Sequence, residues 1–542
     1  MMKNIIWLFL LGLLYPPLSG AVQKYNVCIY GGTPSGVIAS IAASRNGMTV
    51  LLVEQTRHVG GLATSGLNTS ETNHMINKAI TGIACEFYIR MGDHFSPEYF
   101  DTFASGRKLD FQAGDPAFFY ESHIAEKTFQ DMLAEENIEL MYQAYVTHVE
   151  KSGTDIKMIV LNDTLWVDAQ IFIDCTYEGD LMARSGVSYT YGRESIETYN
   201  ESLAGIRLYD KEFETRTVDE NGELLPYFSR PEGLVPGQGD NRVMNYNFRP
   251  TMTQDPDNFV PVKRPENYDS TRYQLLADYL EHHPDTHIWN LVGIYRRGNN
   301  KFEFNNQQNA IISLGLFGGN IDYPDADYKR RREIVQDHKD YTLGLLYFLG
   351  HDERVPEQLC QEMLSYGFAK DEYPDNNHFP YYLYIREARR MIGDFVGTEH
   401  DILQQRSKAD AVCLGSHWID SHHVQRVALS DTTFTNEGRI WEKITQPYEL
   451  SYRLLLPKAT ECTNLLVPVC ASLSHVAFCS YRLEPTWMQM GHVSGTAAAL
   501  AIKSTDSLHN LDIDALQQSL VREDMIVKID VLGPYRDYSD DF

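Results

Sequence analysis

The densest set of chemistry-bearing side chains lies in three motifs near the end of the chain. GSHWIDSHHVQR brings together His417, Asp420, His422, His423 and Arg426, ELSYRLLLP adds Tyr452 and Arg453, and SHVAFCSYRLEP adds His475 and Arg482. An imidazole can take a hydroxyl proton, and a guanidinium can orient a carboxylate or stabilise a developing oxyanion. None of the histidines has the H-E-x-x-H or finger spacing of a metal site, so no metal is expected. His422, His423, Arg453 and His475 are the expected catalytic group, with satisfied structural histidines as the alternative reading.

These groups handle protons and anions, and the stretch that offers them a reactive partner lies near the start of the chain. Tyr25–Tyr30 is an apolar run without a helical period, and GGTPSG (Gly31, Gly32, Thr33, Pro34, Ser35, Gly36) follows at once. A strand therefore feeds straight into a helix N-terminus. Gly31 suits a tight turn, Gly36 suits close packing of helix on strand, and the free N–H groups at the positive helix end suit a pyrophosphate. The helix, Ser35 to about Asn46, carries Ala39, Ala42 and Ala43, and Asn46-Gly47 reads as its stop. A second strand, MTVLLVE, ends at Glu54, whose carboxylate can accept from an adenosine ribose and would repel a 2′-phosphate. This is the pattern of a dinucleotide-binding βαβ unit, and it favours FAD or NAD over NADP. Thr33 departs from it, standing where the second glycine of G-x-G-x-x-G is expected, with Gly32 as the neighbouring compensation.

The residues after Glu54 separate FAD from NAD. Gln55, Arg57, Gly60, Gly61 and Thr64 in EQTRHVGGLATSG resemble the double-glycine motif that follows the second strand in many flavoproteins. With YGGTPSGV, TYEGDLMARSGVSYTYGRES, GSHWIDSHHVQR and YRLEPTWMQMGHVSGTAAALA, the chain resembles the FAD-dependent oxidoreductase family related to the flavin part of heterodisulfide reductase. The resemblance runs from about Tyr25 to Lys503, with the middle third the least similar. It implies an α/β fold: a glutathione-reductase-like Rossmann FAD domain with a β-meander and an inserted α+β substrate domain. It also implies FAD as cofactor and further contacts from Ser65, with Gly66 and Thr69 beside it, and from Glu484. Gly491 and Gly495, four apart on one helix face, permit close approach of a cofactor or of a neighbouring element. Ala471-Ser472 replaces the Gly-Asp that holds the ribityl chain in related flavoproteins.

The chain has 542 residues, enough for two or three domains, and a net charge of −27 that is spread along it. That charge argues against nucleic acid and anionic lipid surfaces as partners. Met1–Ala21 has Lys3, an apolar run from Ile5 to Leu14, a Tyr15-Pro16-Pro17 break and small residues Ser19 to Ala21, the layout of a secretory signal peptide. The run is short for a membrane span, so export without stable membrane insertion is expected, into a periplasmic or extracellular space. Eight cysteines at irregular spacing do not make a disulfide scaffold. Cys28 and Cys175 read as buried thiols, Cys462, Cys470 and Cys479 have the option of pairing, and no iron–sulfur spacing occurs.

Expected boundaries follow from these motifs: signal peptide 1–21, FAD-binding domain 22–190, inserted substrate domain 191–400, return of the FAD domain 401–510, and C-terminal extension 511–542. Within them, helices are expected at Asn77–Met91, at about Pro116–Glu136, near Ser270–His282 and Tyr328–Leu349, and at Thr486–Lys503. The segments Ala144–Lys151, Ile156–Leu161 and Thr164–Val167 read as a meander, followed by a separate strand ending at Asp174. Further strands are expected at Val243–Arg249 and Asn464–Cys470. Asp180 reads equally as a site residue and as a helix-start acid. The amide run Asn299, Asn300, Asn305, Asn306 and Gln307, after Arg296 and Arg297, suits polyhydroxylated or carboxylate ligands but reads first as a solvated loop, and Arg386–Gly393 reads as a helix making a salt-bridged domain contact. The expected function is an exported FAD-dependent oxidoreductase that moves a hydride between FAD and a small polar molecule, a sugar or a hydroxy acid. Its electron acceptor is not named by the sequence. The alternatives are a non-catalytic binder with structural FAD, and an NAD(P)H-dependent flavin reductase, for which no second glycine fingerprint of comparable quality exists.

Overall fold

The computed structural model describes residues 22–69, 71–102, 111–208, 211–404 and 406–532. The expected signal peptide, 1–21, lies outside them, as do residues 533–542 of the expected C-terminal extension. Strand β1 (Gln23–Tyr30) is buried from Val27 onward, as an apolar run without alternation should be inside a sheet covered on both faces. It pairs in parallel with β2 (Val50–Val53), in register Val27 to Val50 through Tyr30 to Val53. Strand β3 (Ile138–Met141) extends the sheet beyond β2, while β4 (Val146–Ser152), β5 (Asp155–Leu161) and β6 (Leu165–Asp174) close the other side. The order is β3-β2-β1-β6-β5-β4, and Leu465–Leu466 joins β6 in parallel.

Strand β6 differs from expectation. The third meander segment and the strand ending at Asp174 are one continuous strand, antiparallel to β5 over Leu165–Asp168 and parallel to β1 over Val167–Asp174. Between Val167 and Ile171 only Asp168 offers turn chemistry, with no glycine or proline beside it, so the chain runs on from one partner to the other.

Helix α1 (Pro34–Arg45) is buried from Pro34 to Ala43. It is wedged against the helix Glu484–Ser504, where a Cβ on Gly491 would come 2.2 Å from the Ser35 carbonyl oxygen and one on Gly495 would come 2.3 Å from that of Ala39. Helices α2 (Ile83–Gly92) and α3 (Ser122–Ala134) cover the same side, both shorter than their apolar periodicity suggests.

A second sheet of five short strands, all within residues 251–369, packs with the helices Gln274–His282 and Tyr328–His351. Three expectations fail here for one reason: buried polar partners far away in sequence set the backbone. Lys301–Asn306 is a strand of this sheet, not a solvated loop. The Lys301 ammonium sits among Glu121, Asp371 and Glu372, and Glu303 takes both Arg249 and Arg297. Val243–Arg249 is buried but irregular, with single bridges from Tyr246 to Leu316 and from Asn247 to Tyr384. Arg386–Gly393 is extended, not helical, and only Arg390–Met391 pairs, with Tyr189–Thr190. An extended chain sends successive side chains to opposite sides, which lets Arg386 reach Asn245 and Asn247, Arg389 reach Asp180 and Asp325, and Glu387 and Arg390 pair with each other beside His475 and Glu194.

The strand expected at Asn464–Cys470 shrinks to Leu465–Leu466. All eight cysteines are free, including Cys462, Cys470 and Cys479. Among the described residues no helix is long and apolar enough to cross a membrane.

Candidate active site

The turn after β1 is a cradle that only glycine permits. Gly31 has φ +105° and donates its N–H to the Val53 carbonyl, and a Cβ on Gly36 would lie 1.8 Å from the Gly31 carbonyl oxygen. Thr33 is the N-cap of α1, and Pro34 takes the first helical position, where a missing N–H is harmless. The Thr33 hydroxyl donates to the Cys175 carbonyl at 2.7 Å and accepts from the Gly36 N–H at 3.4 Å, so its side chain turns inward, away from the mouth of the turn. Thr33 is thereby reconciled with a phosphate-binding turn.

Glu54 follows β2 directly and is buried. Its carboxylate accepts from Gly32 N–H at 2.8 Å, from Thr56 N–H at 2.7 Å and from the Tyr382 hydroxyl at 2.5 Å. Burial raises its pKa, and these donors pull it back. Next to it, Gly60 and Gly61 both have positive φ, the Thr64 hydroxyl donates to the Val59 and Gly61 carbonyls, and the Ser65 hydroxyl accepts from Tyr382 N–H. A cavity of about 340 Å³ opens here, lined by Arg57, His58, Thr64, His123, Glu126 and Tyr381 among others. Gln55 is half-buried at the edge of this loop. The glycine cradle, the acid after β2 and this cavity fit the ADP half of a dinucleotide.

Glu484 stands at the first turn of the helix that packs on α1. The Tyr177 hydroxyl donates to its Oε1 at 2.8 Å and accepts from Leu62 N–H, while Oε2 is buried without a partner. Burial raises the acid to about 8, so it is largely protonated at neutral pH.

The extended segment Tyr382–Glu387 links this region to a polar cluster. Tyr382 touches Glu54, Tyr384 accepts from Arg482 at 3.1 Å, Arg386 donates to the Asn245 carbonyl at 2.5 Å and to Asn247 Oδ1, and Glu387 meets His475 at 2.9 Å. Arg482 also donates to the backbone oxygen of Asp420 at 2.8 Å and to its carboxylate at 3.1 Å. Burial opposes ionisation of Asp420, but the neighbouring His422 and Arg482 outweigh it and hold the acid charged. His422 lies between Asp420, at 3.4 Å, and the Gln308 amide, at 2.6 Å; burial and the nearby Arg386 push it down to about 3. Arg386 is fully buried, meets no carboxylate within ion-pair distance among the described residues, and is pulled by burial down to about 9, which leaves it charged.

His417 has the most available base nitrogen. Its Nδ1 lies 2.6 Å from the Trp418 carbonyl, which assigns the proton to Nδ1 and leaves Nε2 as a buried acceptor without a partner. Burial brings its pKa down to about 4. Other buried atoms lacking partners converge on the same region: Asp420 Oδ1, Gln308 Oε1, Asn245 Oδ1, Arg386 Nε and Arg482 Nε.

The expected catalytic residues divide. His422 and His423 enter the cluster, His423 through its carbonyl, which accepts from both nitrogens of Asn245. His475 lies at its edge and is of different character. Burial disfavours its charge, but the Cys479 sulfur and Glu387 outweigh that and raise it to about 10. Arg453 lies apart, half-exposed, paired with Asp410 at 2.8 Å and stacked on Phe395. Gly491 and Gly495 face α1. Asp180 is buried and bound by Arg331 and Arg389, so its surroundings are those of a clamp between the short helix after β6, the helix Tyr328–His351 and the extended segment. Sequence reasoning passes over Tyr384 and takes Arg386 for a salt-bridged charge on a helix. Helix-forming composition hides both, and the only available signal is the number of arginines in an otherwise apolar neighbourhood.

A family model described as FAD dependent oxidoreductase matches residues 26–520. Among solved structures, a geranylgeranyl bacteriochlorophyll reductase-like protein of Thermoplasma acidophilum is 10% identical over 93% of this chain and 83% of its own, with a TM-score of 0.35. A T. acidophilum thioredoxin reductase is 19% identical over 28% of this chain and 35% of its own (TM-score 0.16), and a Streptomyces rimosus anhydrotetracycline hydroxylase is 17% identical over 37% and 44% (TM-score 0.21). The chain thus spans about a third of that reductase and under half of that hydroxylase. No curated protein matches significantly.

Proposed function

The chain belongs to the FAD dependent oxidoreductase family, and we propose that it is an exported enzyme moving a hydride between FAD and a small polar substrate, a sugar or a hydroxy acid. The observation that carries this reading is the segment Tyr382–Glu387, which touches both the acid after β2 and a buried polar cluster with unsatisfied atoms. FAD would be held by Gly31–Gly36, Glu54, Arg57, Gly60, Gly61, Thr64, Ser65 and Glu484. When bound it supplies the hydride chemistry, so the chain has to orient a C–H bond, accept a proton and exclude water.

In this reading His417 Nε2 takes the substrate hydroxyl proton, since it is the unoccupied lone pair of a neutral imidazole. Arg386 and Arg482 face the developing oxyanion or a carboxylate. Asp420 fixes His422 and Arg482, and the burial of the cluster limits the access of water. The motifs also favour a glutathione-reductase-like arrangement with residues 22–190 and 401–510 as FAD domain, 191–400 as insertion and 511–542 as extension. Kinship with the flavin part of heterodisulfide reductase belongs to the same proposal, as does an external electron acceptor. Anaerobic screening of sugars and hydroxy acids while following flavin absorbance tests the reading. Bleaching by one substrate class is expected. Bleaching by NAD(P)H alone, or by nothing, would overturn it.

A further inference from the structure

Arg426 shares a motif with the histidines of the candidate active site, but the fold turns it elsewhere. It lies on the strand Gln425–Ser430, opposite Asn436 and beside Phe228. The residue is 4% exposed, and its guanidinium stacks on the Phe317 ring at 4.5 Å. Nε and Nη2 have no hydrogen-bond partner, and among the described residues no carboxylate lies within ion-pair distance. The other buried arginines among the described residues behave differently: Arg193, Arg249, Arg297, Arg331, Arg389, Arg390 and Arg482 each meet a carboxylate, and of these described arginines only Arg386, inside the candidate active site, shares this isolation. Burial lowers the pKa of Arg426, against the neighbouring Tyr341, but a guanidinium stays charged.

A buried charge without a counter-charge is costly unless something else supplies one. Arg426 lines a cavity of about 40 Å³ together with Thr271, Gln274 and Tyr341, and Leu225, Phe228, Leu275, Ile312 and Leu316 give it its apolar walls. At roughly 10–15 Å³ per water, that is room for about three water-sized groups, a carboxylate with a carbon or two behind it. The second guanidinium at this cavity, Arg272, is already paired with Asp337 at 2.9 Å. Tyr227 stands at the rim with φ +66°, a strained conformation for a bulky residue, and its hydroxyl reaches toward Asp337 at 3.3 Å.

We propose that this cavity is a second ligand site, separate from the flavin site, in which Arg426 binds the carboxylate of a small organic monoacid and the apolar walls receive its short body. A monoanion fits better than phosphate, because one free guanidinium would leave the second charge of a phosphate dianion uncompensated among apolar walls.

The test uses the flavin-loaded full chain, titrated calorimetrically with formate, acetate, propionate and inorganic phosphate, alongside thermal unfolding. At least one carboxylate should bind and raise Tm, with phosphate weaker by about 10-fold or more. Arg426→Met should weaken carboxylate binding by about 10-fold or more, leave the flavin spectrum unchanged, and hold or raise Tm without ligand, because it removes an uncompensated buried charge. Should that variant fail to fold, Leu316→Trp fills the cavity with the arginine kept and should block binding. The proposal is overturned if none of the three carboxylates binds at tens of millimolar, if phosphate binds as tightly, or if either folded variant binds like the parent.

Discussion

At the scale of single residues, the histidines of one neighbourhood are set to three different tasks by their surroundings. His417 has its Nδ1 proton fixed on a backbone carbonyl and an open Nε2, His422 has both nitrogens engaged, and His475 is held charged by Glu387. His417→Ala should therefore retain FAD and slow flavin reduction by substrate by about 100-fold, measured by anaerobic stopped flow. Loss of FAD instead would make His417 structural. His475 predicts a stability effect. Its folded pKa, about 10, lies above the ordinary 6.5, so its contribution is fully present below pH 6.5 and is lost as pH rises through 10. Thermal unfolding of His475→Gln should be flatter between pH 6.5 and 10 than that of the parent, with a deficit on the order of a few kcal/mol on the acid side of that window. An unchanged pH profile would show the ring to be uncharged in the fold. Glu484, raised to about 8, gives a third readout: Glu484→Gln mimics the protonated acid and should preserve FAD binding at pH 7 while removing the change in affinity through pH 8.

Among the elements, the contact between α1 and the helix Glu484–Ser504 decides how the glycine turn after β1 is presented. Gly491 meets the Ser35 carbonyl, which belongs to that turn, so a methyl group there would push the two helices apart at the turn. Gly491→Ala should cost about 1–3 kcal/mol by overpacking and weaken FAD, read by urea unfolding and flavin release. If stability and FAD affinity both stay at parent values, the packing account fails. This βαβ unit was legible in the sequence because each of its steps is local: an apolar run, a glycine turn, a small-residue helix face and a terminal acid. The junction inside β6 was not, since its two halves look alike and differ only in their partners. The segment around Arg386 was hidden more deeply. Its composition favours a helix, and what holds it extended is Asn245, Asp180, Glu194 and His475, each far away along the chain. For the same reason the site was legible as a set of histidines but not as a cluster, and Arg453, equal to them by spacing, was drawn to Asp410 at the surface.

For the molecule as a whole, the question is what ties the sheet-bearing part to residues 251–391, since the candidate site draws side chains from both. Asp180 offers an answer. It opens a short helix after β6, is 5% exposed, and accepts from Arg331 of the long helix Tyr328–His351 at 2.7 Å and from Arg389 of the extended segment at 2.9 Å. Arg389 passes the link on to Asp325. Burial works against the charge on Asp180, but the two guanidiniums outweigh it and lower its pKa. Neutralising the acid would leave two buried cations facing each other, which is the costly way to break such a network: about 3–5 kcal/mol where one partner of a buried pair is removed. Asp180→Asn should therefore lose that much stability in urea unfolding, yet reduce its remaining bound flavin at the parental rate once saturated with substrate. A variant of parental stability with slowed reduction would reverse the assignment and put Asp180 in the chemistry. The control is Asp180→Leu combined with Arg331→Met and Arg389→Met, which removes all three charges together and should recover much of the loss, because the penalty comes from unpaired charge and not from missing volume.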